Sequence, residues 1–192
     1  MNRFSVFRRA GIYVAEEVLS AQDCLATQAV MLSSPSVAAE LYENDDESRV
    51  DERTRRTRSV EPPAAVTRTI DALFDRLRPA IALHFKLELT RHEPPHFLLY
   101  RPGDFFVAHR DRSRSAEADV SSRLVSCVLF LNDDFTGGEL NLFGILEGGS
   151  WDSVGFPCPP AAGAAVAFPA GMLHEVRPVT SGVRASVVTW FR

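Results

Sequence analysis

Apolar and polar positions follow two different rhythms along this chain, and the change falls near residue 87. Before it the pattern is helical. GIYV (11–14) is a brief strand-like run, and Ser20, with Asp23 three positions later, reads as a capping box that opens a helix over 21–33. Pro62 and Pro63 open a second helix, in which Val66, Ile70, Leu73, Leu77 and Ile81 recur at helical spacing and share one face. Pro79 is expected to kink its last turn. Residues 43–58, densely charged and of mixed sign, read as a solvated loop; the alternative is a substrate-facing loop, with Arg55 and Arg56 as its candidates.

Beyond residue 87 short apolar runs follow one another: HFLLY, FFVAH, RLVSCVLFLN, GELNLF, AAVAF, LHEVRPV and RASVVTWF. Gly, Pro, Asn and Asp separate them, which is the signature of a sandwich or barrel. LNDDFTGG (131–138) reads as a hairpin connection, and 147–163 as a long Gly/Pro-rich loop. The expected fold is mainly β with flanking helices (α+β): a jelly roll with N-terminal helices packed on it. One domain over 1–192 is expected, with a helical support region (1–86) and a sheet core (87–192). There is no internal repeat and no low-complexity tract.

Composition narrows the partners. Apolar residues make up 45% of the chain, and the net charge of −4 provides no basic field to recruit nucleic acid or an anionic membrane. Lys86 is the single lysine, a bias read as coding composition. Cys24, Cys127 and Cys158 are widely spaced and odd in number, without a C-x-x-C. That argues against a disulfide framework or zinc knuckle and fits a reducing compartment, with Cys127 a core thiol. MNRFSVFRRAGIYVAEE lacks the apolar stretch of a signal peptide, and no apolar run reaches membrane-spanning length, so a cytoplasmic location is expected.

The candidate chemistry begins at FFVAHRD (105–111). His109 and Asp111 are two positions apart, so on a strand they share a face. They could be an ion pair, a base with its orienter, or two legs of a metal site. His174, opening another strand after a Pro/Gly turn, supplies a third leg. Two histidines and a carboxylate form the facial triad of non-haem Fe(II) oxygenases, which keeps metal positions open; a structural zinc site would be closed by four ligands. Such chemistry needs electrons, usually from 2-oxoglutarate, whose far carboxylate needs a buried cation. Arg184 leads the strand RASVVTWF, where a buried guanidinium demands an anion. Ser186 shares its face, and Tyr100 could reach the same carboxylate.

Together these residues resemble a known family. Y-x-x-G-x-x-F-x-x-H-x-D is present as Tyr100, Gly103, Phe106, His109 and Asp111; LFLNDDFTGGEL follows, and FPAGMLHEVRPVTSGVRASVVTWF supplies His174, Arg184, Ser186 and Trp190. This resembles the 2-oxoglutarate/Fe(II)-dependent dioxygenase superfamily, prolyl 4-hydroxylase-like group, over about residues 94–192. The resemblance implies a double-stranded β-helix, with Fe(II) held by His109, Asp111 and His174, and 2-oxoglutarate held by Tyr100, Arg184 and Ser186. It implies O2 as co-substrate, ascorbate as an accessory reductant, and hydroxylation of an unactivated C–H bond with release of succinate and CO2. Animal and plant prolyl hydroxylases of the group typically carry Lys at the Arg184 position; Arg is common in bacterial relatives and keeps the carboxylate-binding role. Nucleic-acid repair members carry a second Arg six residues further on, where this chain has Trp190.

A prolyl or other peptidyl side chain is the first expectation for the substrate, ahead of a free amino acid or other small metabolite. A cupin-like metal-binding module, or a protein that binds 2-oxoglutarate without turning it over, is the non-enzymatic alternative. His84, His92 and His96 fall outside the pattern and read as structural or exposed. Gly137 and Gly138 read as turn residues, and Phe130, Phe143 and Phe168 as core. RDRSRSAEADVSS (110–122), polar and next to the ligand strand, is a candidate lid over substrate. Residues 1–85 are expected to shape a substrate groove or a dimer contact.

Overall fold

A computed structural model of the chain describes residues 3–39, 41–42, 48–49, 53–112, 118–146 and 154–192. Its helices are α1 (Ser5–Arg9), α2 (Ala21–Ser33), α3 (Ala64–Phe85) and α4 (Ala118–Ser121). The N-terminal strands are β1 (Tyr13–Ala15), β2 (Ser36–Ala38), β3 (Leu41–Tyr42), β4 (Ser48–Arg49), β5 (Arg55–Arg56) and β6 (Arg58–Val60). Then come β7 (His96–Tyr100), β8 (Phe105–His109), β9 (Val125–Phe130), β10 (Thr136–Gly137), β11 (Leu140–Phe143) and β12 (Gly155–Cys158). The last four are β13 (Ala165–Pro169), β14 (His174–Val176), β15 (Val179–Ser181) and β16 (Arg184–Phe191).

The strands form a jelly roll. One sheet runs β1-β13-β9-β16-β7-β6-β2 and the other β12-β11-β14-β8-β5, with two-stranded pairs β10-β15 and β3-β4. Alternation along the central strands separates two cores. Val125, Cys127 and Leu129 of β9, with Ala185, Val187 and Phe191 of β16, face α2 and α3 through Cys24, Met31, Ile70, Leu73, Phe74 and Ile81. Val128 and Phe130 face the interior with Leu140, Leu142, Val166 and Phe168. Because both faces are covered, β9 is largely apolar rather than alternating with polar residues.

The predicted helix over 21–33 is α2, and the Ser20 hydroxyl accepts from the Asp23 N–H at 3.1 Å as its cap. Pro79 lies inside α3, which continues to Phe85 and ends on Lys86 in the left-handed region. Three expectations need correction. The first 86 residues are not only helical: besides the strand expected near GIYV, β6 and β2 extend one sheet and β5 ends the other. Segments such as RTRRTRSV hide this, because edge strands are held by backbone pairing and carry charge on their exposed sides. LNDDFTGG is not a hairpin connection. β9 pairs with β13 and β16, whereas β11 pairs with β12 and β14, so the segment crosses from one sheet to the other. In the stretch read as a loop over 147–163, residues 147–153 lie outside the described residues, and Gly155–Cys158 is a strand on β11. Residues 43–47 and 50–52 of the charged segment likewise lie outside the described residues.

All three cysteines are free and buried, and burial pushes the Cys127 and Cys158 thiols up to about 12. No helix among the described residues is long and apolar enough to cross a membrane.

One buried charge network fixes the end of β16. Arg123 clasps Glu93 with Nε–Oε1 at 2.6 Å and Nη2–Oε2 at 2.7 Å, and Arg192 Nη2 meets Oε1 at 2.6 Å. Burial alone would raise the Glu93 pKa, but the two guanidiniums outweigh it and hold the carboxyl below its usual value. A carboxyl depressed in the folded state adds stability that is complete above its unfolded pKa and lost as pH falls through the folded one. Glu93→Gln should therefore cost about 3 kcal/mol at pH 7 by removing the carboxylate that both guanidiniums share. The gap from the parent protein should shrink as the pH falls below the ordinary carboxylate range, about 4. Urea melts across that range check both.

Candidate active site

The site forms between the two sheets. His109 ends β8 and His174 begins β14, and these positions are cross-strand partners with ring centroids 4.2 Å apart. Asp111 follows two residues after His109, where Arg112 N–H donates to Ala170 O and Arg110 donates to Gly171 O. The chain after β8 is thus tied to the turn that delivers His174. Asp111 Oδ1 lies 3.4 Å from His109 Nε2, and its Oδ2 lies 3.4 Å from His174 Nε2.

Both rings are oriented from behind. His109 Nδ1 lies 2.9 Å from Val107 O, and His174 Nδ1 lies 3.0 Å from Met172 O. A carbonyl only accepts, so each Nδ1 carries the proton and each Nε2 of a neutral ring turns a lone pair toward Asp111. Phe106 stacks on His109 at 3.6 Å between centroids. Ser126, on the inner face of β9, donates to Asp111 Oδ2 at 2.6 Å.

Burial raises the Asp111 pKa, but His174, His109 and the Ser126 hydroxyl more than offset it, and the carboxyl stays well below the carboxylate range. Burial pushes His174 down to about 4 despite the neighbouring Asp111. Asp111 is thus ionised, kept so by His174, His109 and the Ser126 hydroxyl together. The three side chains offer ligand atoms within 4.8 Å of one another, and a cation between them would satisfy a carboxylate and two lone pairs at once.

Arg184 stands at the foot of the same pocket. It is 1% exposed and lies opposite Tyr100 across β16–β7, its guanidinium 4.9 Å from the Tyr100 ring centroid. Nη1 donates to Ser186 at 2.7 Å, while Nε is buried without a partner. Among the described residues no carboxylate pairs with it. Burial lowers the Arg184 pKa, yet a guanidinium stays charged. The donor set therefore fits a bound carboxylate.

An inner pocket of about 50 Å³, walled by Leu98, Val128 and Val188, holds the triad and Arg184. Outside it lies a cleft of about 420 Å³ reaching Val37 and Ala39, with Arg55, His96, Arg123 and Trp190 on its walls. Arg55 faces both spaces over the Phe106 ring at 4.7 Å, whereas Arg56 turns away over Phe105. Ser186 does not line the pocket; it braces Arg184. Residues 113–117 of the candidate lid lie outside the described residues.

The reason for the crossover appears at this end of the pocket. Asn132 Oδ1 accepts from Ala185 N–H at 2.8 Å, and Asn132 Nδ2 donates to Val183 O at 2.7 Å, so one side chain pins the start of β16 around Arg184. Gly138 has φ +64°, and a Cβ there would lie 2.8 Å from Val179 Cγ2 and 3.2 Å from Arg184 Cδ. Gly138→Ala should cost about 1–3 kcal/mol from left-handed strain plus crowding, read in a urea melt.

A sequence model of the 2OG-Fe(II) oxygenase superfamily matches residues 95–192. The chain belongs to that superfamily. Membership brings Fe(II), 2-oxoglutarate and O2 as the reagents of its chemistry. The chain is 34% identical over 106 residues to a PKHD-type hydroxylase of Sphingopyxis alaskensis, covering 54% of this chain and 45% of that protein. It is 33% identical over 135 residues to one of a Picosynechococcus species, covering 66% and 56%. The chain thus spans about half the length of these relatives. A crystal structure of a Pseudomonas putida prolyl-4-hydroxylase superposes with a TM-score of 0.72 at 30% identity, over 100% of this chain and 98% of that one. A Trichoplax adhaerens prolyl hydroxylase, solved with a hypoxia inducible factor peptide fragment, shares the fold (TM-score 0.72, 15% identity, 96% and 84% coverage).

Sequence reasoning missed Ser126 and Arg123. A serine in an apolar run, on the same strand face as Val128 and Phe130, was the available signal for the first. Nothing local marked Arg123, whose guanidinium lies 3.7 Å from the Trp190 ring centroid and whose Nη1 reaches Asp111 O at 3.5 Å.

Proposed function

We propose that the protein is an Fe(II)- and 2-oxoglutarate-dependent hydroxylase. His109, Asp111 and His174 hold the metal, and Arg184, braced by Ser186, holds the co-substrate together with Tyr100. Arg184 carries this reading: a buried guanidinium without an anion, at the foot of a pocket that contains the triad. When bound, Fe(II) supplies redox chemistry in which 2-oxoglutarate and O2 become succinate and CO2 while a C–H bond gains a hydroxyl.

The protein's own residues prepare that reaction. The Val107 and Met172 carbonyls fix both imidazoles with Nε2 free, so metal entry displaces no proton from His174 at neutral pH. Ser126 orients Asp111 and, with His174 and His109, keeps it ionised. Arg184 takes the far carboxylate of 2-oxoglutarate, and Leu98, Val128 and Val188 keep water from the space between. The substrate enters by the outer cleft. Its breadth, and the edge strand β2 beside it, suit an extended peptide presenting a prolyl or similar side chain, in line with the prolyl hydroxylase of similar sequence and shape.

The test starts anaerobically. Fe(II) followed by 2-oxoglutarate should give the visible charge-transfer band of a chelated keto acid; no band in metal-loaded protein would overturn the assignment. In air, proline-containing peptides should stimulate succinate release well above free proline. Stimulation by free amino acids alone would replace the peptidyl substrate with a small metabolite. Ser126→Ala should weaken metal binding by about 10–100-fold, the range for losing a hydrogen bond behind a ligand, as read by metal titration.

A further inference from the structure

A second set of metal-ligating atoms lies away from the pocket. Asp71 and Asp75 are four residues apart on α3, on one face of the helix. His92 Nε2 lies 3.7 Å from Asp71 Oδ1 and 3.8 Å from Asp75 Oδ1, and the three ligand atoms fall within 4.8 Å of one another. The carboxylates are half exposed, but the imidazole is only 6% exposed. Phe74 and Phe191 hold the ring edge-on.

His92 Nδ1 lies 2.7 Å from the Glu93 backbone oxygen, which can only accept, so Nδ1 carries a proton. Thr189 donates to the same carbonyl at 2.6 Å and holds it in place. In the neutral ring Nε2 is then a bare lone pair. It belongs to a buried ring and points at two carboxylates that are too distant for hydrogen bonds. Arg78 reaches the Asp75 oxygen only at 3.5 Å. The arrangement repeats the one behind His109 and His174: a backbone carbonyl on Nδ1, and carboxylate oxygens facing Nε2.

We infer that Asp71, Asp75 and His92 form a second divalent-cation site, separate from the triad, with the mixed nitrogen and oxygen donors that suit zinc. Water completes the coordination on the exposed side. The cation would tie α3 to the segment carrying Glu93, which anchors Arg123 and Arg192. The competing state is an imidazolium between two aspartates, which binds no metal.

Counting bound metal separates the two. Chelator-stripped full chain is equilibrated with Zn2+ alone, and zinc per chain is measured by mass spectrometry. The parent protein should hold two equivalents. His174→Ala should hold one, which Asp71→Asn with Asp75→Asn then removes. Those two amides replace half-exposed carboxylates and leave the core untouched, and His92→Gln removes the same equivalent from the buried side. Zinc binding unchanged by Asp71→Asn with Asp75→Asn, or a single equivalent in the parent protein that persists in that double variant, would overturn the site.

Discussion

Replacing Arg184 with methionine should make the apoprotein more stable and leave it unable to hold 2-oxoglutarate. In the apoprotein the guanidinium is buried among Tyr100, Phe130 and apolar side chains, with one neutral hydrogen bond to Ser186 and an orphaned Nε. Exchanging such a charge for apolar atoms of similar reach should raise stability by about 1–4 kcal/mol. The same exchange removes the cation for the far carboxylate, and about 3 kcal/mol or more of binding, roughly 100-fold or more in affinity, should go with it. Thermal melts with metal, with and without 2-oxoglutarate, read both effects at once. The parent melting temperature should rise with co-substrate, while the variant should start higher and not respond. Arg184→Lys keeps the charge and loses the planar fork, so its affinity should fall between the two. A methionine variant that is less stable and still binds 2-oxoglutarate normally would make Arg184 a structural residue.

That expectation shows where the sequence was legible. Arg184 could be picked out because a charge in RASVVTWF contradicts its surroundings, and such contradictions are readable one residue at a time. His109 and Asp111 were readable as a pair because a strand puts i and i+2 on one face. The partners of β9 and β11 were not readable. LNDDFTGG has the composition of a hairpin turn, but Asn132 reaches Val183 and Ala185 and Thr136–Gly137 pairs with β15, contacts distant in sequence that carry the chain to the other sheet. The N-terminal strands were hidden for a related reason. β5 and β6 are made of Arg, Ser and Val, and their place in the sheets comes from backbone pairing to β8 and β7 rather than from an apolar pattern. His92 read as structural or exposed because the carboxylates that face it lie about twenty residues earlier, on α3. The link appears only when α3 packs against the chain leading into β7.

Asp111→Asn should abolish the metal site without unfolding the protein. The carboxylate is 8% exposed and faces two Nε2 atoms whose rings have already committed Nδ1 to carbonyls. The carboxylate lies 3.4 Å from each Nε2, and the Ser126 hydroxyl donates to Oδ2 at 2.6 Å. An amide can still donate to one imidazole but removes the charge that His174, His109 and Ser126 favour, so the apoprotein should lose some stability and remain folded. Metal affinity should fall by about 100-fold or more, since the one anionic ligand is gone and two neutral imidazoles remain. The measurement is clean in a chain that also carries Asp71→Asn and Asp75→Asn, so that the triad alone responds. At metal about one hundred times its dissociation constant, binding adds about 2.7 kcal/mol to the folded state. For a chain of this length that is a rise of about 5–10 °C in melting temperature. The rise should appear in the chain that keeps Asp111 and vanish in the one that also carries Asp111→Asn. An equal rise in both would mean that the metal is held elsewhere, and the assignment of His109, Asp111 and His174 would fall with it.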